Sequence, residues 1–171
     1  MSDTTQLMQS ALALHRAGHT DQAEQLYRRV LGPRPNDPHA LHLLGVIAFR
    51  KGQHEQAAGW VRRAIQVSPQ VAQFHHTLGV ILDCMSRPHE AVEAFRQAIA
   101  HGKTTPQTRL GLGFALFDLA RSQVVAGRPV PAGSLEQAEE QARMVLQGAP
   151  DDPGARELLG KIEDLRRIAR G

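Results

Sequence analysis

Histidine is the residue type most able to do chemistry in this sequence, because nine of the 171 residues are histidines. His39 and His42 stand three positions apart, which would place them on one face of a helix, and His75 and His76 follow later. A metal site needs several converging ligands with supporting partners around them. No cysteine or carboxylate stands at matching positions, and the nearest exception is Asp83, a turn or more away. We therefore expect no metal site and interpret these histidines as solvated or pH-sensitive.

No sequence motif indicates catalysis or a cofactor. The chain lacks GxSxG, HExxH and a glycine-rich phosphate loop. Residues 110–113 read LGLG, but no strand precedes them, so helix packing explains these glycines better than a nucleotide site. Cys84 stands between Asp83 and Met85, with Arg87 as its one basic neighbour, which favours a structural thiol over a reactive one. We expect no enzyme activity and no cofactor.

The composition fits a globular chain without a strong charge. Hydrophobic residues make up 42% and aromatic residues 4%, so the core must consist mainly of Ala, Leu, Val and Ile. The net charge is +3, and a solvated final helix explains the one basic cluster, Arg166, Arg167 and Arg170, so we expect no nucleic-acid partner. A single cysteine, no signal-like start and no long apolar stretch predict a cytoplasmic protein without a membrane span.

A repeat with a period of 34 residues organises the chain and must position these side chains. The segment from Pro38 to Pro69 reads PHALHLLGVIAFRKGQHEQAAGWVRRAIQVSP, and much of it returns one period later. Equivalent positions hold the glycines Gly45, Gly79 and Gly113 and the larger residues Tyr27, Val61 and Phe95. Each period contains two helical patterns, which predicts a solenoid of helix-turn-helix units.

The spacing of small and apolar residues in this segment resembles that of the tetratricopeptide repeat (TPR) family. The positions that carry the resemblance are Leu44-Gly45, Gly52, Ala57, Ala64 and Pro69. The resemblance covers roughly residues 4–150 and implies an all-α, right-handed α-solenoid of four helix pairs plus a C-terminal capping helix, in a single domain over residues 1–171. The expected repeats are about 4–37, 38–71, 72–105 and 106–151, and the capping helix is 153–169.

Local signals refine this scheme. Three first-of-pair helices are expected to begin after a capping residue that is followed by proline, namely Asp37, Thr105 and Asp152. In the fourth repeat the landmark alanine is Ala138, 13 residues later than the period requires, which indicates an insertion near 121–133. We expect the preceding helix to continue to about Ala126, a stiff loop GRPVPAG, and then a capping box formed by Ser134 and Gln137.

The resemblance implies that the first helices of the pairs line a concave groove that binds a partner. The predicted groove residues are Met8, Leu12, His15, His39, His42, Val46, Phe49, Arg50, Gln73, His76, Val80, Leu110, Phe114 and Phe117. An apolar row along its middle consists of Leu12, Val46, Val80 and Phe114. Arg16 and Arg50 flank the row. The alternative is that these side chains pack against one another and against a neighbouring chain or tail.

The function that the resemblance implies is a non-catalytic protein-interaction module. In the best-known TPR groove, Lys, Asn and Arg side chains clamp the acidic C-termini of Hsp70 and Hsp90 chaperones. The corresponding positions here hold Met8, Leu12, Val46, Gln73 and Thr77. The predicted partner is therefore an apolar or amphipathic peptide or helix, and not a chaperone tail.

Two alternatives stay open. The repeats also look like the arrays that precede bacterial glycosyltransferase and sulfotransferase domains, which would make the chain the substrate-recruiting segment of a larger enzyme. The other alternative is a self-assembling scaffold, a homo-oligomer with the insertion or Trp60 in the contact.

Overall fold

The computed structural model describes residues 3–169, which form nine α-helices and no strand. The helices are α1 (Asp3–Arg16), α2 (Thr20–Leu31), α3 (Pro38–Arg50), α4 (His54–Val67), α5 (Ala72–Cys84), α6 (Pro88–Ala100), α7 (Pro106–Val125), α8 (Ser134–Gly148) and α9 (Pro153–Ile168). The first eight helices pack as four consecutive pairs, and each second helix also packs against the next first helix. The result is the predicted all-α solenoid, closed by α9. Arg170 of the basic cluster lies outside the described residues.

The starts of three first helices follow the local sequence signals. Asp37 Oδ1 accepts a hydrogen bond from the backbone N–H of Ala40 at 2.9 Å, which satisfies one of the free donors of the first turn. Asp152 Oδ1 caps α9 in the same way, through the N–H of Ala155 at 2.8 Å. Thr105 Oγ1 caps α7 with a longer bond of 3.4 Å. All three predicted caps are confirmed.

The extra residues of the fourth repeat lengthen α7 and add a loop. α7 has 20 residues, whereas the preceding first helix α5 has 13, and its C-cap is Ala126 as predicted. The predicted capping box of Ser134 and Gln137 is wrong. Gly133, with a left-handed φ of +76°, is the N-cap of α8, and the Ser134 hydroxyl instead donates to the carbonyl of Pro131 at 2.7 Å. The hydroxyl therefore ties the loop to the helix start.

The turn inside each of the first three pairs depends on one residue with a positive φ. The residues are Gly18 with φ +83°, Gly52 with φ +74° and Ser86 with φ +54°, and they occupy equivalent positions in the repeat. Ser86 is the one non-glycine residue with a positive φ among residues 3–169. A Cβ in this region clashes with the backbone and costs roughly 1 kcal/mol. The third turn is therefore strained where the first two are relaxed.

Replacing Ser86 with glycine should raise the free energy of unfolding by about 0.5–1 kcal/mol, because glycine removes the steric cost of the left-handed conformation. Urea denaturation of the purified chain would measure the change. Ser68→Gly is the matched control, because Ser68 has an ordinary φ of −137° and glycine there only adds entropy to the unfolded chain. A loss of stability in Ser86→Gly as large as in the control would contradict the strained turn.

The repeated glycines lie where neighbouring helices approach most closely. A Cβ on Gly45 or Gly113 would come within 2.5 Å of a side chain on a neighbouring helix. A Cβ on Gly79 or Gly111 would lie 2.8 Å or 2.6 Å from the ring of Phe95. These distances are shorter than any normal contact, so the glycines allow the helices to cross. The prediction that the LGLG glycines serve packing is thereby confirmed.

Fully buried side chains fill the space that these crossings leave. The alanines that mark the second helices are completely buried, namely Ala57, Ala91 and Ala138. The larger residues at the second repeating position, Tyr27, Val61 and Phe95, are also buried. The core therefore combines small and large side chains at the two repeating positions, as the 34-residue repeat predicts.

Replacing Gly79 with alanine should lower the free energy of unfolding by about 1–3 kcal/mol, because the new methyl group would overlap the ring of Phe95. Gly59→Ala is the control, since a Cβ there meets nothing within 4 Å and alanine favours a helix. We expect Gly59→Ala to be neutral or stabilising. Thermal melting of both variants would test the helix crossing, and equal midpoints would contradict it.

Candidate functional site

The first helices α1, α3, α5 and α7 lie side by side and form one face, which we call the first-helix face. A side-chain hydrogen bond joins each neighbouring pair of these helices, and each bond uses one histidine. The three bonds are His15–Arg50 at 3.3 Å, His42–Thr77 at 2.9 Å and His76–Thr108 at 3.0 Å. The histidines of this face therefore link consecutive repeats, a role that sequence reasoning missed.

The predicted groove residues differ in how much surface they offer. Nine are half-buried, namely Met8, Leu12, His15, Val46, Phe49, His76, Val80, Leu110 and Phe114. Three are exposed, namely His39, Arg50 and Gln73. His42 and Phe117 are only 8% and 7% exposed, because His42 packs on Phe74 with ring centroids 4.8 Å apart and Phe117 belongs to the core. These two residues shape the face from within and offer a partner little surface.

The apolar row forms a half-buried floor of the first-helix face. Its four members occupy equivalent positions on the four first helices, one in each repeat. Val80 and Phe114 pack against the core beneath them. Lys161 of α9 places its Nζ 5.3 Å from the centre of the Phe114 ring, a cation–π contact that partly covers the ring. The row thus presents limited apolar surface between more polar flanks.

Charged residues follow the apolar row by three or four positions on each first helix, and we call the edge that they form the carboxyl edge. It comprises Arg16, Arg50, Asp83 and Asp118. Within residues 3–169 only Asp118 among these four forms an ion pair, with Arg121 at 3.0 Å. Asp83 and Asp118 line a cleft of about 350 Å³ together with the first residues of the α7 extension. Burial, and then the charge of Asp118, raise the pKa of Asp83.

Burial lowers the pKa of the three linking histidines and keeps them neutral. For His42, burial and the nearby His39 lower the pKa to about 4. For His15 the secondary cause after burial is the charge of Arg50, and for His76 it is Lys103. A histidine whose pKa is lowered by folding takes up a proton more readily in the unfolded chain. The stability that these three histidines contribute to the fold is therefore complete above pH 6.5, and it decreases as the pH falls below that value.

Replacing His42 with glutamine should make the chain less sensitive to acid, because the amide cannot be protonated in the range from pH 6.5 to about 4. Between pH 7 and pH 4.5, the wild type should lose about 2 kcal/mol more unfolding free energy than His42→Gln. Urea denaturation at both pH values gives this difference. The exposed His19→Gln variant serves as the control and should lose as much as the wild type. The same loss in all three proteins would contradict a buried neutral His42.

Histidines elsewhere are also engaged in the fold. His75 Nε2 lies 2.7 Å from the carbonyl of Pro69, and the ring of His75 packs on that of His101. In the described part of the chain, no three His, Cys, Asp or Glu side chains form a group that could hold a metal ion. Burial, and then Asp83, raise the pKa of the Cys84 thiol, which disfavours the reactive thiolate. Between residues 3 and 169, no helix combines the length and hydrophobicity that a membrane span needs.

Sequence reasoning missed a large cavity that lies between the second helices α4, α6 and α8 and the first helices α5 and α7. Its volume is about 840 Å³, and the loop residues Pro131 and Ala132 form part of its wall. Apolar residues from several helices line it, namely Ile65, Leu78, Leu82, Val92, Leu116 and Leu119. The insertion was the available signal, because two of its loop residues form part of the cavity wall.

Trp60, which the sequence offered as a self-assembly contact, is half-buried between two core clusters. The guanidinium of Arg63 lies 5.0 Å from the centre of its ring. Both contacts reduce the surface that Trp60 offers to another chain.

Comparison with known proteins matches residues 8–72 to a family described as tetratricopeptide repeat. The chain has the fold of a tetratricopeptide-repeat solenoid. Among solved structures, MamA has a TM-score of 0.79 and 20% identity over 98% of this chain and 84% of its own. A TPR protein from Parabacteroides merdae has a TM-score of 0.77 and 14% identity over 95% and 60% of the two chains.

A variant of the O-GlcNAc transferase from Thermobaculum terrenum has a TM-score of 0.69 and 21% identity over 86% of this chain and 27% of its own. A search of curated proteins gives no significant match. At these identities the TPR structures establish the fold of the chain, while the chemistry of the first-helix face is its own.

Proposed function

We propose that this TPR solenoid is a non-catalytic interaction module that binds an apolar or amphipathic segment of a partner protein on its first-helix face. The observation that carries the proposal is the apolar row, which places one half-buried apolar side chain in each of four adjacent repeats. A regular line of this kind can receive side chains that recur along a peptide. The single cysteine favours a reducing compartment, so we place the interaction in the cytoplasm.

The flanks of the row supply the polar part of the recognition. His39 and Gln73 are exposed near the start of their helices, and Arg50 is exposed near the end of its helix. Met8 and Leu110, both half-buried, widen the apolar floor in the first and last repeats. Such a surface suits a segment with one apolar side and one polar side. It does not offer the Lys and Asn clamp that a chaperone tail would require.

The rigidity of the face helps binding. The three histidine-mediated bonds between consecutive first helices fix the spacing of the repeats before a partner arrives. A preorganised surface loses less conformational entropy on binding than a mobile one. The partner segment, and not the solenoid, would therefore become ordered when the complex forms.

Replacing both Val46 and Phe114 with alanine should weaken peptide binding by about 30-fold or more, which corresponds to roughly 2 kcal/mol. The probes are peptides selected on the wild-type chain from a phage-displayed library of random sequences, with affinity measured by calorimetry. The control is the double variant Val67→Ala and Met144→Ala, which removes two exposed apolar side chains from second helices. Circular dichroism verifies that both variants fold.

Weakened binding in the Val46 and Phe114 variant alone would support the groove. If only the control variant loses affinity, the peptides bind among the second helices, and the proposal for the first-helix face is wrong. Equal affinity in all three proteins would also contradict it.

The alternative function is substrate recruitment within a larger enzyme. The observation that favours it is the similarity to the O-GlcNAc transferase variant, a longer enzyme of which the matching region makes up 27%. Sequencing the transcript beyond residue 171 would test it, because this function requires the reading frame to continue into a catalytic domain.

A further inference from the structure

The carboxyl edge of the first-helix face changes sign along the stack. Arg16, Arg50 and Asp118 occupy the same position in the first, second and fourth repeats, and Asp83 stands one residue from that position in the third. The first two repeats therefore present positive charge, and the last two present negative charge. In a series of nearly identical repeats, equivalent positions would be expected to carry charges of the same sign.

Other described residues of the chain neutralise few of these charges. Arg50 bonds to His15, which burial and the charge of Arg50 keep neutral, and Arg16 has no ion pair within residues 3–169. At the other end, Arg121 pairs with Asp118, while Asp83 has no cationic partner among the described residues. The edge therefore carries two positive charges at one end and one net negative charge at the other. An exposed unpaired charge attracts an opposite charge on a ligand.

We propose that the first-helix face selects a segment with an acidic end and a basic end, the acidic end over the first two repeats and the basic end over the last two. This inference rests on the proposed function, because it names the chemistry of the segment that the same face would bind. The apolar row receives the residues between the two charged ends.

The geometry sets the distance between the two charged ends of the ligand. Packed helices lie about 8–10 Å apart, so two repeats separate the centres of the arginine and aspartate pairs by about 16–20 Å. An extended peptide rises about 3.3 Å per residue and covers that distance in about six residues. Its side chains would then meet successive members of the apolar row about every third residue.

The test uses blocked eight-residue peptides with a central Leu-Ser-Ser-Leu. Two mixed peptides carry a Glu pair at one end and a Lys pair at the other, in both orders. Two uniform peptides carry Glu pairs or Lys pairs at both ends. NMR titration of the isotope-labelled chain at low salt measures weak affinities and shows which amides respond. At least one of the two mixed peptides has the backbone direction that the groove accepts. We expect that peptide to bind about tenfold more tightly than either uniform peptide.

Charge-reversal variants of the protein provide a second test, because each should prefer a different uniform peptide. Arg16→Glu with Arg50→Glu makes the carboxyl edge acidic throughout, so this variant should prefer the peptide with only lysines. Asp83→Lys with Asp118→Lys makes the edge basic throughout, so this variant should prefer the peptide with only glutamates. Each preference should be about tenfold and should shrink in about 0.5 M salt, where charges on the surface are screened. Melting curves of both variants test whether the four substitutions, including loss of the Arg50–His15 bond, leave the fold intact.

The outcomes separate this inference from the proposed function. If all peptides bind the first-helix face of every protein equally, the charge preference is wrong and the apolar groove stands. If these peptides leave the face unperturbed while library-selected peptides bind it, the charge preference is again wrong and the groove stands. If neither set perturbs the amides of the first-helix face, both proposals are wrong.

Discussion

The close crossing of helices at glycine is the constraint on which the rest of the solenoid depends. Phe95 illustrates it, because its ring lies against Gly79 of its own pair and Gly111 of the next. One aromatic side chain thereby connects two repeats, and the two glycines leave it enough room. The distance between first helices, and hence the spacing of everything on the first-helix face, follows from such contacts. The geometry of the first-helix face is therefore set by buried residues beneath it.

Polar links between repeats complement this packing. Small apolar residues at helix crossings provide few directional contacts that fix the register of the helices. The histidine bonds of the first-helix face provide such contacts. Because a buried neutral imidazole can both donate and accept, it suits a link to a threonine or an arginine. The same burial that strengthens these bonds makes protonation of the histidines unfavourable, so these links contribute less stability as the pH falls.

The sequence predicted the helices well because their determinants are local. Caps such as Asp37 and the end of α7 near Ala126 depend on neighbouring residues and on helical periodicity. The capping box at Ser134 failed because the preceding loop carries its own hydrogen bond and Gly133 takes the cap position. Exposure was harder to predict. Whether Phe117 lies in the groove or in the core depends on the orientation of α7 about its own axis relative to its neighbours. Short sequence patterns do not determine that orientation.

The extended α7 also has a consequence for anything that lies along the first-helix face. With seven more residues than α5, it projects about 10 Å further at 1.5 Å per residue, and residues 121–123 stand beside Asp83. Lys161 covers part of Phe114 at the same end. The fourth repeat therefore differs from the first three in shape, and the first-helix face has two distinguishable ends.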